Sequence, residues 1–222
     1  MFVITADQID SRHDRDRASE MIARLVQSHA AAFALPPDQT SGDEIQLLVP
    51  RAADALPVLL DLHRAEFWSI GMGVGPIRTP LPSATRQATG DAFIAARSAV
   101  SRAKRAEARF ALDVPLAVAA ADAAGTHLDS PGPSTGAEVE ALVTMLLLLR
   151  QRRTPEGWEA VDLLESGLAQ TAIARSLDIS TAAVSQRVKS AQWKVERAAH
   201  PALVRLLQNL DRDTSETDDS RR

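Results

Sequence analysis

The stretch Thr40–Val49, with the sequence TSGDEIQLLV, decides how the first half of the chain is expected to fold. Its small residues Ser41 and Gly42 are typical of a tight turn, and an apolar run typical of a β-strand follows them. Alternating apolar side chains would form the buried face of that strand: Ile45, Leu47 and Val49. The stretch therefore predicts a β-hairpin that carries two carboxylates, Asp43 and Glu44, at its tip.

A second β-type run, FVITA at residues 2–6, opens the chain and is followed by another carboxylate, Asp7. If this run and the hairpin strand are neighbours in one sheet, Asp7 and Asp43 lie close together at its edge. Two carboxylates that share a site repel each other, and a divalent cation between them removes the repulsion. The two aspartates are therefore predicted to hold a metal ion, with Mg²⁺ as the candidate.

The composition of the chain restricts its class. With 222 residues, 45% of them hydrophobic, it can form one large or two small domains with a buried core. It has no cysteine, which excludes disulfides and thiolate metal sites, and its histidines lack metal-ligand spacing. The net charge of −4 argues against nucleic acid binding over the whole surface but leaves room for a local basic patch. Neither a signal peptide nor a membrane-spanning run is recognised, so a cytoplasmic protein without membrane contacts is expected.

Hydrophobic periodicity predicts the other elements of the first half as helices at about 11–33, 52–65 and 90–107 and strands at 67–75 and 115–119. Together with the first strand and the hairpin they have the order β-α-β-β-α-β-α-β. This order predicts an α+β fold, with a ferredoxin-like domain over residues 1–124 that has one helical layer on an antiparallel sheet. A stretch rich in Gly, Pro, Ser and Thr at 125–136 is expected to be a linker.

The second half, residues 137–210, is predicted to be all-α, because its apolar residues keep helical spacing throughout. The predicted helices lie at about 137–152, 154–166, 170–177, 180–200 and 201–210. The first of them is apolar on several sides and must be buried, either in a core or in a dimer interface. A homodimer is the expected assembly. The tail 211–222 has almost no apolar residues and is expected to be disordered.

Two short helices of this half, joined by a turn at Asp178 and Ile179, have the apolar spacing of a helix-turn-helix, with the small Ala174 where the helices meet. On the outer face of the second helix, a glutamine can bond an adenine, a serine or threonine several base edges, and a basic side chain a phosphate. The residues expected to contact DNA are Gln170, Thr171, Ser180, Thr181, Ala182, Ser185, Gln186, Arg187, Lys189 and Lys194. A helical hairpin used only for packing or dimerisation is the alternative.

The segment Leu168–Val188, which contains both helices, resembles the DNA-binding helix-turn-helix of sigma-factor region four and of LuxR-type regulators. The resemblance implies double-stranded DNA as the partner of this part of the chain. It also implies a role in transcription regulation.

Four segments of the first half resemble, in order, the palm domain of class III nucleotidyl cyclases and of GGDEF diguanylate cyclases. Thr5–Ile9 is similar to the metal motif on the first strand of the cyclases, and Ser41–Ile45 is similar to their hairpin. Gly71–Pro76 is similar to their glycine run, and Gly90–Arg97 to the helix that carries their transition-state residues. The resemblance implies a nucleotide ligand with Mg²⁺, because carboxylates hold the metal, glycines let backbone approach a ligand and arginine neutralises phosphate. The implied nucleotide-binding residues are Asp7, Asp43, Glu44, Gly71, Gly73, Gly75 and Arg97, with Asp7 and Asp43 as the metal ligands.

Two positions depart from the cyclase pattern. Ser41 stands where the diguanylate cyclase turn has its first glycine. Phe93 stands four residues before Arg97, where the cyclases carry a catalytic asparagine, and a phenyl ring cannot donate a hydrogen bond. The resemblance therefore implies a nucleotide sensor rather than an enzyme. A metal-dependent nucleotidyl cyclase or nucleotidyltransferase governed by the DNA-binding part is the alternative, and a pure interaction scaffold is a third possibility.

The whole arrangement, a palm domain followed by a helix-turn-helix, resembles the SatD family over nearly the whole chain. The residues that carry this resemblance are Val3–Ser11, Ser41–Leu47, Gly71–Pro76, Gly90–Arg97 and Trp158–Gln186. Together the patterns predict a dimeric transcription regulator that senses a nucleotide or a nucleotide second messenger and binds operator DNA.

Overall fold

The computed structural model describes residues 1–12, 14–40, 42–115 and 135–219 of the chain and shows, within them, an α+β protein with a five-stranded sheet. The strands are β1 (Phe2–Gln8), β2 (Asp38–Thr40), β3 (Glu44–Val49), β4 (Trp68–Val74) and β5 (Phe110–Asp113). The α-helices are α1 (Ala18–His29), α2 (Ala52–Arg64), α3 (Asp91–Ala103), α4 (Gly136–Gln151), α5 (Pro155–Glu165), α6 (Gln170–Ser176), α7 (Thr181–Ser190) and α8 (Trp193–Asp219). None of these described helices is both long and apolar enough to cross a membrane.

The sheet has the strand order β2-β3-β1-β4-β5, with β1 in its centre and antiparallel to both neighbours. The hairpin predicted within Thr40–Val49 is present as β2 and β3, and Gly42 in its turn has a φ of +86°, which favours glycine. β5 pairs in parallel with β4, because α3 carries the chain back to the end of the sheet where β4 begins. The sheet is therefore mixed, and the prediction of an antiparallel sheet was wrong.

The order of the elements agrees with the sequence prediction, but their bounds differ. α1 begins at Ala18 rather than near residue 11, because Gln8 holds the preceding loop by bonding the backbone of both Arg15 and Arg17. The last strand is Phe110–Asp113 rather than 115–119, and residues 116–119 lie outside the described part of the chain.

Helices cover both faces of the sheet. On one face, Val3 and Leu48 pack against Ala92 and Ala96 of α3. The alternate residues of β1 and β3 are equally buried, and α1 and α2, which contact β3, cover this second face. The predictions of one helical layer and of a single buried face for the hairpin strand were therefore wrong, since every residue from Ile45 to Val49 is buried.

Two glycines of β4 make room for α3. A Cβ on Gly71 would lie 2.2 Å from the backbone nitrogen of Val100, and a Cβ on Gly73 would lie 2.0 Å from the backbone oxygen of Ala92. No larger residue fits between the strand and the helix at these positions without moving the helix backbone. α3 therefore rests directly on the backbone of β4.

By its internal contacts the chain divides into two units, a first unit of Met1–Thr144 with Leu203–Arg222 and a second unit of Met145–Ala202. The sequence placed the boundary at a linker over 125–136, most of which lies outside the described residues. The division instead falls within α4 and α8, each of which begins in one unit and ends in the other.

The C-terminal segment is helical, whereas the sequence predicted a helix end near residue 200 and a disordered tail from residue 211. α8 continues through Pro201 and ends at Asp219. Buried side chains continue the helical spacing into this segment: Leu207, Leu210 and Thr214. The N-terminal amine of Met1 forms an ion pair with Asp211, so contacts from the other end of the chain hold this part of α8.

In the second unit, α5, α6 and α7 pack around one apolar core. Its buried members are Ala160, Ile173, Ala174, Val184 and Val188. The hydroxyl of Thr154 caps α5 by accepting a hydrogen bond from the backbone of Gly157, with Pro155 in the first turn. α7 ends at Ser190, earlier than predicted, because Gln192 has a φ of +54° and interrupts the helix before α8 begins.

Candidate functional site

The turn between α6 and α7 has a defined backbone geometry. Asp178, with a φ of +51°, reverses the chain, and the amide of Ile179 donates to the carbonyl of Ala174 at 3.0 Å. Ser180 then caps α7 by accepting a hydrogen bond from the amide of Ala183 at 3.1 Å. Ala174 is buried where the two helices meet, in the position that the sequence predicted. Because the backbone is tied at both ends of the turn, the angle between α6 and α7 is fixed by local bonds.

The outer face of α7 is polar and open to solvent. The core holds the inner face through Val184 and Val188. Seven of the residues predicted to contact DNA are exposed on α6, on α7 or at its cap, namely Thr171, Ser180, Thr181, Ala182, Ser185, Gln186 and Lys189, and Lys194 is exposed in the first turn of α8. The amide of Gln186 makes one long bond, 3.4 Å, to the hydroxyl of Ser190, which a base could replace.

Arg187 has a different environment from the other predicted DNA residues. It is half-buried, and its guanidinium donates to the carboxylate of Glu159 on α5 at 2.8 Å. This bond ties α7 to the helix behind it. Its predicted contact with a DNA phosphate stays a prediction, but the contact would require Arg187 to share or leave this carboxylate.

A cleft of about 330 Å³ separates α7 from the start of α8. It gathers predicted DNA residues from three helices, and its lining includes Gln170, Ser185, Lys189 and Lys194. Gln192 also lines it and was missed by the sequence interpretation. The signal that could have found it is its position directly after the polar face of α7. The cleft therefore places amide, hydroxyl and ammonium groups on one concave surface.

A buried charge cluster supports these helices from behind. Glu196 of α8 forms ion pairs with both Arg150 and Arg153, and the Arg153 contact is 2.6 Å. Both guanidiniums lie over the ring of Trp158 on α5, at 4.8 and 4.2 Å from its centroid. The cluster therefore joins the end of α4 and the start of α8 to α5, the helix that packs against α6 and α7.

The carboxylates predicted to bind a metal lie near one another but have separate partners. Asp7 is opposite Glu44 in the sheet, and the amide of Gln8 donates to the carbonyl of Asp43 at 3.0 Å. The carboxylate of Asp7, however, accepts from Lys104 at 2.7 Å, that of Asp43 from the Ser11 hydroxyl at 2.6 Å, and that of Glu44 from the Thr40 hydroxyl at 2.6 Å.

Among the described residues, no three histidine or carboxylate side chains come close enough together to hold a metal ion. Two carboxylates can hold Mg²⁺ only if water or a ligand supplies the remaining oxygens. The metal at Asp7 and Asp43 therefore stays a prediction that requires a bound ligand to complete it.

The remaining residues predicted to contact a nucleotide lie elsewhere. Gly71 and Gly73 face α3, and a Cβ on Gly75 would lie 2.9 Å from the ring of Pro115, so contacts within the protein account for all three glycines. Arg97, by contrast, lines a cleft of about 430 Å³ at the start of α3. The structure thus brings the predicted DNA residues together, whereas the predicted nucleotide residues occupy three different places.

Comparison with known proteins gives no information on the function of these sites. We compared the chain with protein-family models, with curated proteins and with solved structures, and none of the three comparisons found a match. Function must therefore be inferred from the chemistry and the placement of the side chains.

Proposed function

We propose that this protein is a sequence-specific DNA-binding transcriptional regulator in which α6 and α7 form a helix-turn-helix and α7 enters the major groove. The observation that carries the proposal is the exposed polar face of α7, set on a fully packed inner face. A hairpin used only for packing needs the buried valines, but it does not need amide, hydroxyl and ammonium groups in a row on the opposite side.

The exposed side chains of α7 match the chemistry of base edges. The amide of Gln186 suits the paired donor and acceptor of adenine, Ser185 and Thr181 can bond several bases, and Ala182 can contact a thymine methyl group. Lys189 and Lys194 have no ion pair within the described part of the chain, so their charges are available for phosphates. We assign Arg187 to bracing α7 against Glu159 rather than to the phosphate contact first expected of it.

We also propose that the regulator is a cytoplasmic homodimer whose first unit senses a nucleotide. A dimer would bind two half-sites separated by one helical turn of DNA or a multiple of it. Nucleotide binding would then change operator affinity by favouring one of two states of the protein.

A metal-dependent nucleotidyl cyclase or nucleotidyltransferase is the second candidate. The observation in its favour is that β1 and β3 bring the backbones of Asp7 and Asp43 together. The bonds of these carboxylates to Lys104 and Ser11, and the phenyl ring of Phe93, favour the sensor over the enzyme.

The DNA proposal is tested by selecting a binding sequence from a random pool and measuring affinities by fluorescence anisotropy. Gln186→Ala should weaken binding to the selected site by about 1–3 kcal/mol and leave non-specific binding unchanged. Lys189→Ala should weaken binding to all sequences alike. It should also reduce, by about 1, the slope of the logarithm of the binding constant against the logarithm of the salt concentration. Gln27→Ala and Arg24→Ala, on the exposed face of α1, are matched controls and should have no effect. Equal affinities for the wild type and both α7 variants would remove the proposal.

A further inference from the structure

A cleft of about 430 Å³ opens between the start of α3 and the sheet of the first unit. Three arginines line it: Arg78, Arg86 and Arg97. Gln46 of β3, and Phe93 and Ile94 of α3, are also part of its wall. We call this feature, defined by these six residues, the arginine cleft.

Two of the three arginines in the arginine cleft have no carboxylate partner within the described residues, so the cleft keeps a net positive charge. Arg78 and Arg97 are exposed, and within the described residues no carboxylate pairs with either of them. Arg86 pairs with Asp38, whose carboxylate lies 3.6 Å from the guanidinium and also accepts a hydrogen bond from the Arg86 backbone amide at 3.3 Å. Asp91 is the one carboxylate in the lining, at the first position of α3. Three arginines line this cleft with a single carboxylate among them, and such a site attracts a multiply charged anion.

Gln46 is an independent sign of a missing ligand. Its side chain is 8% exposed and lines the arginine cleft, and no described group forms a hydrogen bond with its amide. Its cross-strand neighbour Thr5 has a buried hydroxyl that is also without a partner in the described part of the chain. The polar atoms of Gln46 are not among the fully buried ones, so its amide is open to the arginine cleft. A polar ligand there would bond this amide without breaking a bond within the described residues.

Part of the lining of the arginine cleft is apolar. Phe93 is half-buried against the core beneath α3, and Ile94 is 71% exposed. A phenyl ring beside guanidiniums offers a planar ring a surface for stacking, while the guanidiniums hold phosphates. The chemistry that matches both the arginines and the phenyl ring is that of a nucleotide.

We propose that the arginine cleft binds a nucleotide, with its phosphates on Arg78 and Arg97, its base against Phe93 and a polar edge of the ligand on Gln46. This inference rests on the sensor part of the proposed function and gives that sensor a site. The site differs from the one first expected at Asp7 and Asp43. Asp7 is bonded to Lys104, beyond the last residue of α3, whereas the arginine cleft surrounds the first half of that helix.

Isothermal titration calorimetry on the full chain tests this assignment, with the four ribonucleoside triphosphates and inorganic pyrophosphate as probes and with Mg²⁺ present or absent. We expect one ligand per chain, tighter binding of at least one nucleotide than of pyrophosphate, and a loss of about tenfold or more in Arg78→Ala and in Arg97→Ala. Arg105→Ala removes the same charge from an exposed position outside the cleft and should bind like the wild type.

Gln46→Leu separates a binding role from a structural one. Because its amide has no partner within the described residues, the substitution should leave the melting temperature of the free protein unchanged or raise it, and still weaken nucleotide binding. Asp43→Asn should leave binding intact. If Asp43→Asn alone lost binding, the proposal would be overturned in favour of the metal site. If no probe bound the wild type, the proposal would be overturned outright.

The arginines could instead contact DNA phosphates. In that case Arg78→Ala and Arg97→Ala would weaken DNA binding while no nucleotide binds, and the assignment would be wrong. DNA affinity itself depends on α7 and is measured separately with Gln186→Ala. Failure of the arginine cleft to bind a nucleotide therefore does not count against DNA binding, and failure of DNA binding does not count against the arginine cleft.

Discussion

At the scale of single residues, Glu196 makes the contact whose loss we expect to be most costly in the second unit. It is the shared partner of Arg150 and Arg153, all three of which are buried. Glu196→Ala would leave two buried guanidiniums without their carboxylate and should lower the free energy of unfolding by about 3–5 kcal/mol. Urea denaturation followed by tryptophan fluorescence measures this loss. Glu107→Ala, at an exposed glutamate, is the control, and equal midpoints for the two variants would show that the cluster contributes nothing.

Individual residues also show what could be predicted from sequence and what could not. The glycines in the segment that became β4 correctly indicated that something approaches its backbone closely, but a ligand and a helix leave the same pattern. The structure shows that α3 is what approaches Gly71 and Gly73. Arg187 is similar, because its type predicts a charged partner and only the fold reveals that Glu159 supplies one. The arginine cleft was predicted only in part, through Arg97. Arg78 and Arg86 come from the segment between β4 and α3, which has no sequence signal for a ligand, and Gln46 comes from the distant strand β3.

At the scale of elements, the second unit contains a histidine that should make its stability depend on pH. Burial lowers the pKa of His200 below its ordinary 6.5, and Arg197 and Arg150 lower it further, against the opposing effect of Glu196 and Glu165. In the unfolded chain this histidine takes up a proton more readily than in the folded one, so stability is lost as pH falls from about 7 through the folded pKa. His200→Gln should therefore flatten the pH dependence of urea midpoints below pH 7. Above about pH 7.5 the urea midpoints of the wild type and of His200→Gln should change with pH at the same rate, because the histidine is neutral in both the folded and the unfolded state. Parallel curves at all pH values would contradict the assignment.

The elements that sequence predicted well are those whose signals are local. The hairpin at β2 and β3, the helix starts near Thr154 and Ser180 and the order of strands and helices all follow from turn chemistry and periodicity within a few residues. The end of α8 could not be predicted in this way. The contacts that hold this part of α8 are the burial of Leu207, Leu210 and Thr214 and the ion pair of Asp211 with the amine of Met1, a partner far away in the sequence.

At the scale of the whole molecule, the amino-acid composition could not predict how the chain divides into two units. A stretch rich in Gly, Pro and Ser indicates where a chain is free of regular structure, and it was taken as the border between an N-terminal and a C-terminal domain. The first unit, however, includes the last part of α8, so its boundary is set by contacts between segments distant in sequence. The candidate sites follow the same division, with the arginine cleft in the first unit and the polar face of α7 in the second.

If the first unit senses a nucleotide and the second binds DNA, the two affinities must be linked. A saturating concentration of the nucleotide that binds best should change the affinity for the selected operator by about 5- to 150-fold, and saturating operator should change nucleotide affinity by the same factor. Arg97→Ala should abolish this effect and keep the operator affinity of the nucleotide-free wild type, because Arg97 lies in the arginine cleft and not on α7. Anisotropy titrations with and without nucleotide measure both factors. An operator affinity that nucleotide leaves unchanged would mean that the two sites act independently, because a ligand that binds both states equally shifts neither.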